Sequence, residues 1–409
     1  MFKYKFIMKP IVIIGAGIAG LQAANVLHEG GIPFVLLEKQ AHVGGRVQSE
    51  HFQGFTLDHG FQVLQTSYSE VQQSLRLADL DLSYFDSGAY LWKDKSWLSF
   101  FSPWQQTFSL FRALGDGIIS LSDLVKLAQL WLKIQLDAKP MSNNPLTTQE
   151  YIDSLRFSPT FQDGFLKPFF YGIFLDESLT QPASLFVFYL KQFLEGRAAL
   201  PKGGMGAISN QLLQSLPASS VRLNTEVESI EEGKVVLKNG ETLECAKVIL
   251  AANPTAASHL LDIPVDKGAI LQSKTCYFSA DEFPNEGKLL HLIPKAEESN
   301  ILHFACLSKV NPSYAPAGKE LISVTTLKTE LSEEEIRKEM ARFLGQEKLN
   351  WKFLKAYSIP ESLPKQGFWN LIKQKALEKG IVLSGDYTQY PSLQAAFASG
   401  RLAAESAIS

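Results

Sequence analysis

Ile11-Val12-Ile13-Ile14-Gly15-Ala16-Gly17-Ile18-Ala19-Gly20 decides the fold. An unbroken β-branched run predicts a short strand covered on both faces, because a strand with one wet face alternates apolar and polar residues. The run passes straight into G-x-G-x-x-G, and Leu21 to His28 then puts Leu21, Ala24 and Leu27 on one side of a helix. Pro33 to Leu37 forms a second buried strand ending at Glu38, 18 positions beyond Gly20. Each part of this βαβ unit has a mechanical role in holding a dinucleotide. Gly15 permits the tight turn, Gly17 lets the backbone approach a pyrophosphate, and Gly20 allows helix to pack on strand. The helix N-terminus offers free amides to an anion, and Glu38 accepts from ribose hydroxyls, which disfavours a 2′-phosphate. Gly15, Ala16, Gly17, Ala19, Gly20, Glu38 and Lys39 are the expected contacts.

The glycine turn alone does not choose between NAD and FAD. Val43-Gly44-Gly45-Arg46-Val47 follows, and then Phe55-Thr56-Leu57-Asp58-His59-Gly60-Phe61-Gln62-Val63-Leu64. Here the chain resembles the FAD-dependent amine oxidase, carotene (phytoene) desaturase and protoporphyrinogen oxidase superfamily. The resemblance implies that Gly45 and Arg46 lie against the dinucleotide and that Gly60, Phe61 and Gln62 pass the isoalloxazine ring. Arg46 can offset pyrophosphate charge with a planar fork of donors.

The carboxy-terminal end carries a second part of the resemblance. Gly380 to Leu383 reads as a strand, followed by Gly385-Asp386 and by Pro391-Ser392-Leu393-Gln394-Ala395-Ala396-Phe397-Ala398-Ser399-Gly400. By resemblance, Gly385 and Asp386 face the ribityl or pyrophosphate region, and Ser392, Leu393 and Gln394 begin a helix aimed at the flavin's pyrimidine edge. Where the family often has Gly-Ala, this helix has Ala395-Ala396, which adds a methyl group. Between the two ends, Val221 to Ile230 reads as one strand, Lys234 to Cys245 as a hairpin turning at Asn239-Gly240, and Val248 to Ala251 as a buried strand. The resemblance adds an adenine contact from Val227.

The fold class expected is therefore α/β: a Rossmann-like FAD-binding domain assembled from discontinuous segments, with a substrate domain of mixed sheet plus helices. The expected division is 1–83, 200–265 and 375–409 for the FAD domain, 84–199 for a helical, aromatic-rich part and 266–374 for a sheet. The stretch from Tyr84 to Phe193 holds 23 of the chain's 45 aromatics, Trp104, Phe108 and Phe111 among them. An ordinary helical core accounts for such a density, and so does an apolar substrate cavity over the flavin with a membrane-facing mouth. In the sheet region, the resemblance puts Lys274 near the place where amine oxidases carry a lysine that holds a water at flavin N5, against a plain solvated strand lysine, and His59, inside the D-x-G segment, either borders the ring or points away from it. These two are the candidate catalytic residues.

Composition removes several classes. A net charge of -3, with 39 basic against 42 acidic residues, gives no electrostatic reason for nucleic acid. Cys245, Cys276 and Cys306 are too few and too scattered for a disulfide framework and suit a cytoplasmic protein. The histidines show no metal-ligand spacing, and no apolar run reaches the roughly 20 residues of a bilayer span. The basic start before Ile11 reads as the approach to a strand rather than a signal peptide, with Met8 as an alternative start. Gly203-Gly204-Met205-Gly206 is not a second nucleotide fingerprint, so no NAD(P)H domain is expected. What remains is hydride transfer from a C–H bond of a hydrophobic, isoprenoid-like substrate to flavin N5, with oxygen or a quinone as electron acceptor. An amine oxidase is the alternative, and a redox-neutral isomerase or lipid-binding member of the fold is the third reading.

Overall fold

The structure, a computed structural model, describes residues 9–101, 112–136, 144–347 and 349–409. Met8 and the aromatics Trp104, Phe108 and Phe111 lie outside the described residues. The opening β-branched run is the central strand Ile11–Ile14 of a five-stranded parallel sheet. Its neighbours are Phe34–Leu37 and then Val221–Arg222 on one side, Lys247–Leu250 and then Val382–Leu383 on the other. The run needs no polar residue because both of its faces are covered. Ile11 and Ile13 pack with Leu21, Leu27, Phe397 and Ala404 from helices Ile18–Glu29 and Leu393–Ile408. Val12 and Ile14 pack the opposite way, against Val235, Leu261, Trp369 and Ile372. At Gly400 an added Cβ would lie 2.3 Å from the carbonyl oxygen of Ala19, so the first and last helices cross at backbone contact.

The second body is a seven-stranded sheet in the order Lys352–Pro364, Ile270–Ala280, Glu320–Thr326, Ile301–Cys306, Leu290–Leu292, Gly88–Lys93, Ser96–Phe101. Neighbours run antiparallel except Leu290–Leu292 beside Gly88–Lys93. One face packs on helix Glu333–Phe343 through Cys276, Phe278, Val324, Ile336 and Met340. Helices Lys167–Phe174 and Ala183–Glu195 belong to a separate aromatic core with Phe100, Leu292 and Leu302. Asp123, buried in helix Leu121–Leu136, accepts from the backbone and hydroxyl of both Ser120 and Ser158, tying two segments together.

Three sequence expectations need correction. The region after Tyr84 does not open as helix: Gly88–Lys93 and Ser96–Phe101 form a hairpin that completes the seven-stranded sheet. Asn224 adopts φ +51 and breaks the expected strand 221–230 into Val221–Arg222, in the parallel sheet, and Val227–Glu231, in a three-stranded meander. A boundary at 374 would cut helix Asn370–Glu378, whose Ile372 and Ala376, with Trp369 just before it, belong to the core of the parallel sheet.

Candidate active site

A cavity of about 1320 Å³ is lined both by the carboxyl ends of the parallel strands and by the seven-stranded sheet. At its parallel-sheet end, Gly15 holds φ +102, and a Cβ there would lie 2.8 Å from the Ala251 carbonyl oxygen. Gly20 is a packing residue: a Cβ would meet the Gly15 carbonyl oxygen at 1.9 Å. Gly17, Ala19, Glu38, Lys39, Gly45 and Val227 line the cavity, whereas Ala16 and Gly20 do not. Ala16 acts through its amide, which donates to Glu38 Oε2 at 2.8 Å, while Glu38 Oε1 accepts from Gln40 N at 2.9 Å. The acid at the strand end therefore also fixes the glycine turn.

Farther along, Arg46 lines the cavity but is engaged within the protein. Its Nη2 donates to Asp386 Oδ1 at 2.6 Å and its Nη1 to the Ser362 carbonyl at 2.9 Å. Asp386 is buried and also accepts from Tyr387 N at 3.0 Å. Two charge-assisted bonds from Arg46 thus join the second strand's loop, the last strand's end and strand Lys352–Pro364. Gly385, Ser392 and Leu393 line the cavity as well, and Ser392 Oγ caps its helix by accepting from Ala395 N at 2.9 Å. Gln394 does not line it: Oε1 accepts from Glu70 N and Nε2 donates to Ser69 Oγ, both at 3.0 Å. One step around a helix from Leu393 turns that side chain to helix Ser69–Ser74. Of the two alanines replacing Gly-Ala, Ala396 faces the cavity and Ala395 is in the protein interior.

Gly60, Phe61 and Gln62 border the cavity's middle. Gln62 Nε2 donates to the carbonyls of Arg46 and His59, at 2.7 and 3.0 Å, and Phe61 N donates to Thr275 Oγ1 at 3.2 Å. His59 lines the cavity and stacks on Tyr357, with ring centroids 4.6 Å apart. Burial holds its imidazole below the ordinary value, against the pull of Glu50. Lys274 is a correction. Successive side chains of a strand point to opposite faces, so Ser273 and Thr275 line the cavity while Lys274 Nζ donates to the Leu331 carbonyl behind the sheet.

Sequence reading missed Ser362, Thr275, Thr325 and His303, all of which line the cavity. The available signal was the two-residue alternation in Ile270–Ala280, which puts Thr275 opposite to Lys274. His303 sits in the otherwise apolar strand Ile301–Cys306 and is 2% exposed. Burial pushes its imidazole down to about 3. The far half of the cavity is apolar, with Leu127, Trp131, Phe161, Phe165, Phe169 and Phe193 in its wall.

Comparison with known proteins bears on this geometry. Residues 18–408 match the family described as flavin containing amine oxidoreductase. The chain is 41% identical over 78 residues to a lycopene-forming phytoene desaturase of Pantoea ananas, a match covering 19% of this chain and 16% of that enzyme. It is 46% identical over 57 residues to human lysine-specific histone demethylase 2, across 14% of this chain and 7% of that protein. Among solved structures, an oxidoreductase from Methanosarcina mazei superposes with a TM-score of 0.72 at 17% identity, covering 97% of this chain and 100% of that one. Putrescine oxidase bound to putrescine gives 0.65 at 17%, covering 98% and 99%. The structural likenesses establish a shared fold.

The residues present suit a flavin dinucleotide. At Gly17 a Cβ would meet nothing within 4 Å, so main chain lies open to the cavity there. The helix behind it starts with no side-chain cap and no acidic residue in its first turn, leaving its amides for an anion. Each Glu38 oxygen keeps a lone pair for a ribose hydroxyl after its one backbone bond. The volume also exceeds the roughly 300–1,000 Å³ of a drug-sized pocket, leaving room for a second molecule.

Proposed function

This chain belongs to the family of flavin containing amine oxidoreductases, and from that premise we propose that it oxidises a C–H bond of a largely apolar small molecule, as a desaturase or oxidase. It is an FAD-dependent oxidoreductase. When bound, FAD supplies a two-electron acceptor for hydride. Gly15, Gly17, Glu38 and Val227 would hold its adenosine end. Arg46, held by Asp386, would place positive charge beside the pyrophosphate, and Gly60, Gly385 and the amides after Ser392 would border the ring system.

The observation that carries the substrate class is the phenylalanine wall of the far half, built by Phe161, Phe165, Phe169 and Phe193. Such a wall excludes water and rewards apolar area at about 25 cal/mol per Å². It orients a greasy chain without a charged anchor. Lys274, turned behind the sheet, lends nothing to an amine oxidase reading. Oxygen or a quinone would receive the electrons. Leu121, Leu132 and Leu136 are 70%, 52% and 77% exposed on the helix whose Leu127 and Trp131 line the cavity, which supports peripheral contact with a membrane. No helix among the described residues is long and apolar enough to cross one.

The test is anaerobic mixing of the FAD-loaded protein with isoprenoids and, separately, with simple amines, while following the visible flavin bands. Bleaching by an isoprenoid, with the corresponding dehydrogenated product, is the expected result. Bleaching by amines alone, with aldehyde formed, would overturn the reading. Liposome flotation with all protein left in the dense fraction would refute the membrane contact.

A further inference from the structure

Five strands of the seven-stranded sheet contribute one continuous rung. Tyr357 pairs with Thr275, Thr275 with Thr325, Thr325 with His303, and His303 with Leu292. The rung is polar in its middle and turns apolar at Leu292. Thr275 Oγ1 and Thr325 Oγ1 lie 3.2 Å apart, and Thr275 Oγ1 also accepts from Phe61 N. Thr275, Thr325 and His303 all line the cavity. The Phe61 ring stands edge-on to His303 at 4.8 Å. On the opposite side helix Lys167–Phe174 makes room with Gly172, where a Cβ would lie 3.0 Å from His303 Nδ1.

Neither ring nitrogen of His303 has a hydrogen-bond partner among the described residues. A buried imidazole without partners is costly and calls for an explanation in a ligand. A site meant for pure hydrocarbon would be filled by leucine or phenylalanine, as the rung itself is at Leu292. No carboxylate lies on this rung to balance an ammonium, and no lysine or arginine lies on it to balance an acid.

We propose that the substrate is amphipathic: an uncharged oxygen group, alcohol or carbonyl, is hydrogen-bonded by His303 beside Thr325, with the apolar chain running along the phenylalanine wall. The inference rests on the reading of this cavity as a site for a largely apolar molecule and narrows it. The neutral imidazole, held so by burial, has one donor and one acceptor, which matches a hydroxyl or carbonyl oxygen and does not match a charged head. His303 is thereby a specificity residue.

The experiment uses the FAD-loaded protein under anaerobic conditions and reads ligand binding from the perturbation of the flavin spectrum. Its probes are geranylgeraniol, the C20 hydrocarbon lacking the hydroxyl, and geranylgeranylamine. The alcohol is expected to bind about tenfold tighter than the hydrocarbon. In His303→Phe that preference is expected to shrink to about twofold or less while hydrocarbon affinity is kept. Equal affinity of alcohol and hydrocarbon for the unmodified protein overturns the proposal, and so does tighter binding of the amine. Those comparisons need no variant, so a His303→Phe protein that does not fold leaves the decision intact. If the amine alone binds, or none of the three does, the apolar-substrate reading fails together with the proposal. Hydrocarbon binding equal to the alcohol's fails the proposal alone.

Discussion

The parallel sheet meets the cavity with main chain, and the seven-stranded sheet meets it with side chains. On the first side the working parts are the turn at Gly15, the open backbone of Gly17 and the uncapped helix start at Ile18. On the second side they are Thr275, Thr325 and His303, brought into one rung from three strands. Where that main chain packs on main chain, at Gly15 and Gly20, it tolerates almost no added atom. A surface of side chains tolerates exchange and changes what it recognises. The largest effect is therefore expected at Gly20, where a Cβ would sit 1.9 Å from the Gly15 carbonyl oxygen and 3.3 Å from Ala251 Cβ. Gly20→Val should displace the first helix from its strand, cost about 1–3 kcal/mol or more, and yield protein without visible flavin absorption. Thr325→Val, on the other wall, should keep its flavin. Equal flavin content in the two variants would break the comparison.

The same contrast decides what could be read in advance. Gly15 to Glu38 is one contiguous stretch whose roles follow from local sterics, so strand, turn, helix and acid were legible together. The start of the last helix near Ser392 was legible only through the family resemblance, and the structure adds that Ser392 Oγ caps it. The seven-stranded sheet was not. Its cavity face collects residues from Gly88 to Leu363, and pairing across such separations leaves no mark on any one window of sequence. The helical label for 84–199 failed at Ser96–Phe101, where an aromatic-rich stretch forms an edge strand instead. The division at 374 failed because helix Asn370–Glu378 follows the substrate sheet in sequence yet packs on the parallel sheet. Arg46 was read as a phosphate partner, but Asp386 and Ser362 define its position, and both lie more than 300 residues away.

Between the two walls sits Asp58, 1% exposed, which joins them. Its Oδ1 accepts from Ser49 Oγ at 2.5 Å and Met205 N at 2.8 Å, its Oδ2 accepts from Tyr314 OH at 3.0 Å, and its carbonyl accepts from Tyr277 OH at 2.9 Å. Burial pushes its carboxyl up to about 6, against the three bonds that favour the anion. The folded chain then holds a proton on Asp58 that the unfolded chain, near 3.8, has already lost. Asp58's contribution to stability is thus full below about 4 and declines as pH rises through about 6, by on the order of 1–3 kcal/mol. Asp58→Asn has no such titration. Urea denaturation of both proteins at intervals across that range should show wild type losing stability relative to the variant as pH rises. A constant difference would mean that Asp58 ionises normally and that its three donors just offset its burial.

The smallest effect is expected one residue from a large one. Lys274 and Thr275 are neighbours on strand Ile270–Ala280, and strand geometry sends them to opposite faces. Thr275 Oγ1 receives the amide of Phe61 beside Gly60, so Thr275→Val removes an acceptor from the loop that borders the cavity and should shift the flavin spectrum. Lys274 Nζ donates to the Leu331 carbonyl behind the sheet. Lys274→Met should cost no more than about 1 kcal/mol of stability and leave flavin content, spectrum and reoxidation rate unchanged. Measured side by side, the two variants test whether the register of one strand, rather than proximity in sequence to a family's lysine, decides what the flavin encounters. A marked slowing of reoxidation in Lys274→Met alone would place the ammonium at the ring and reverse the assignment of faces.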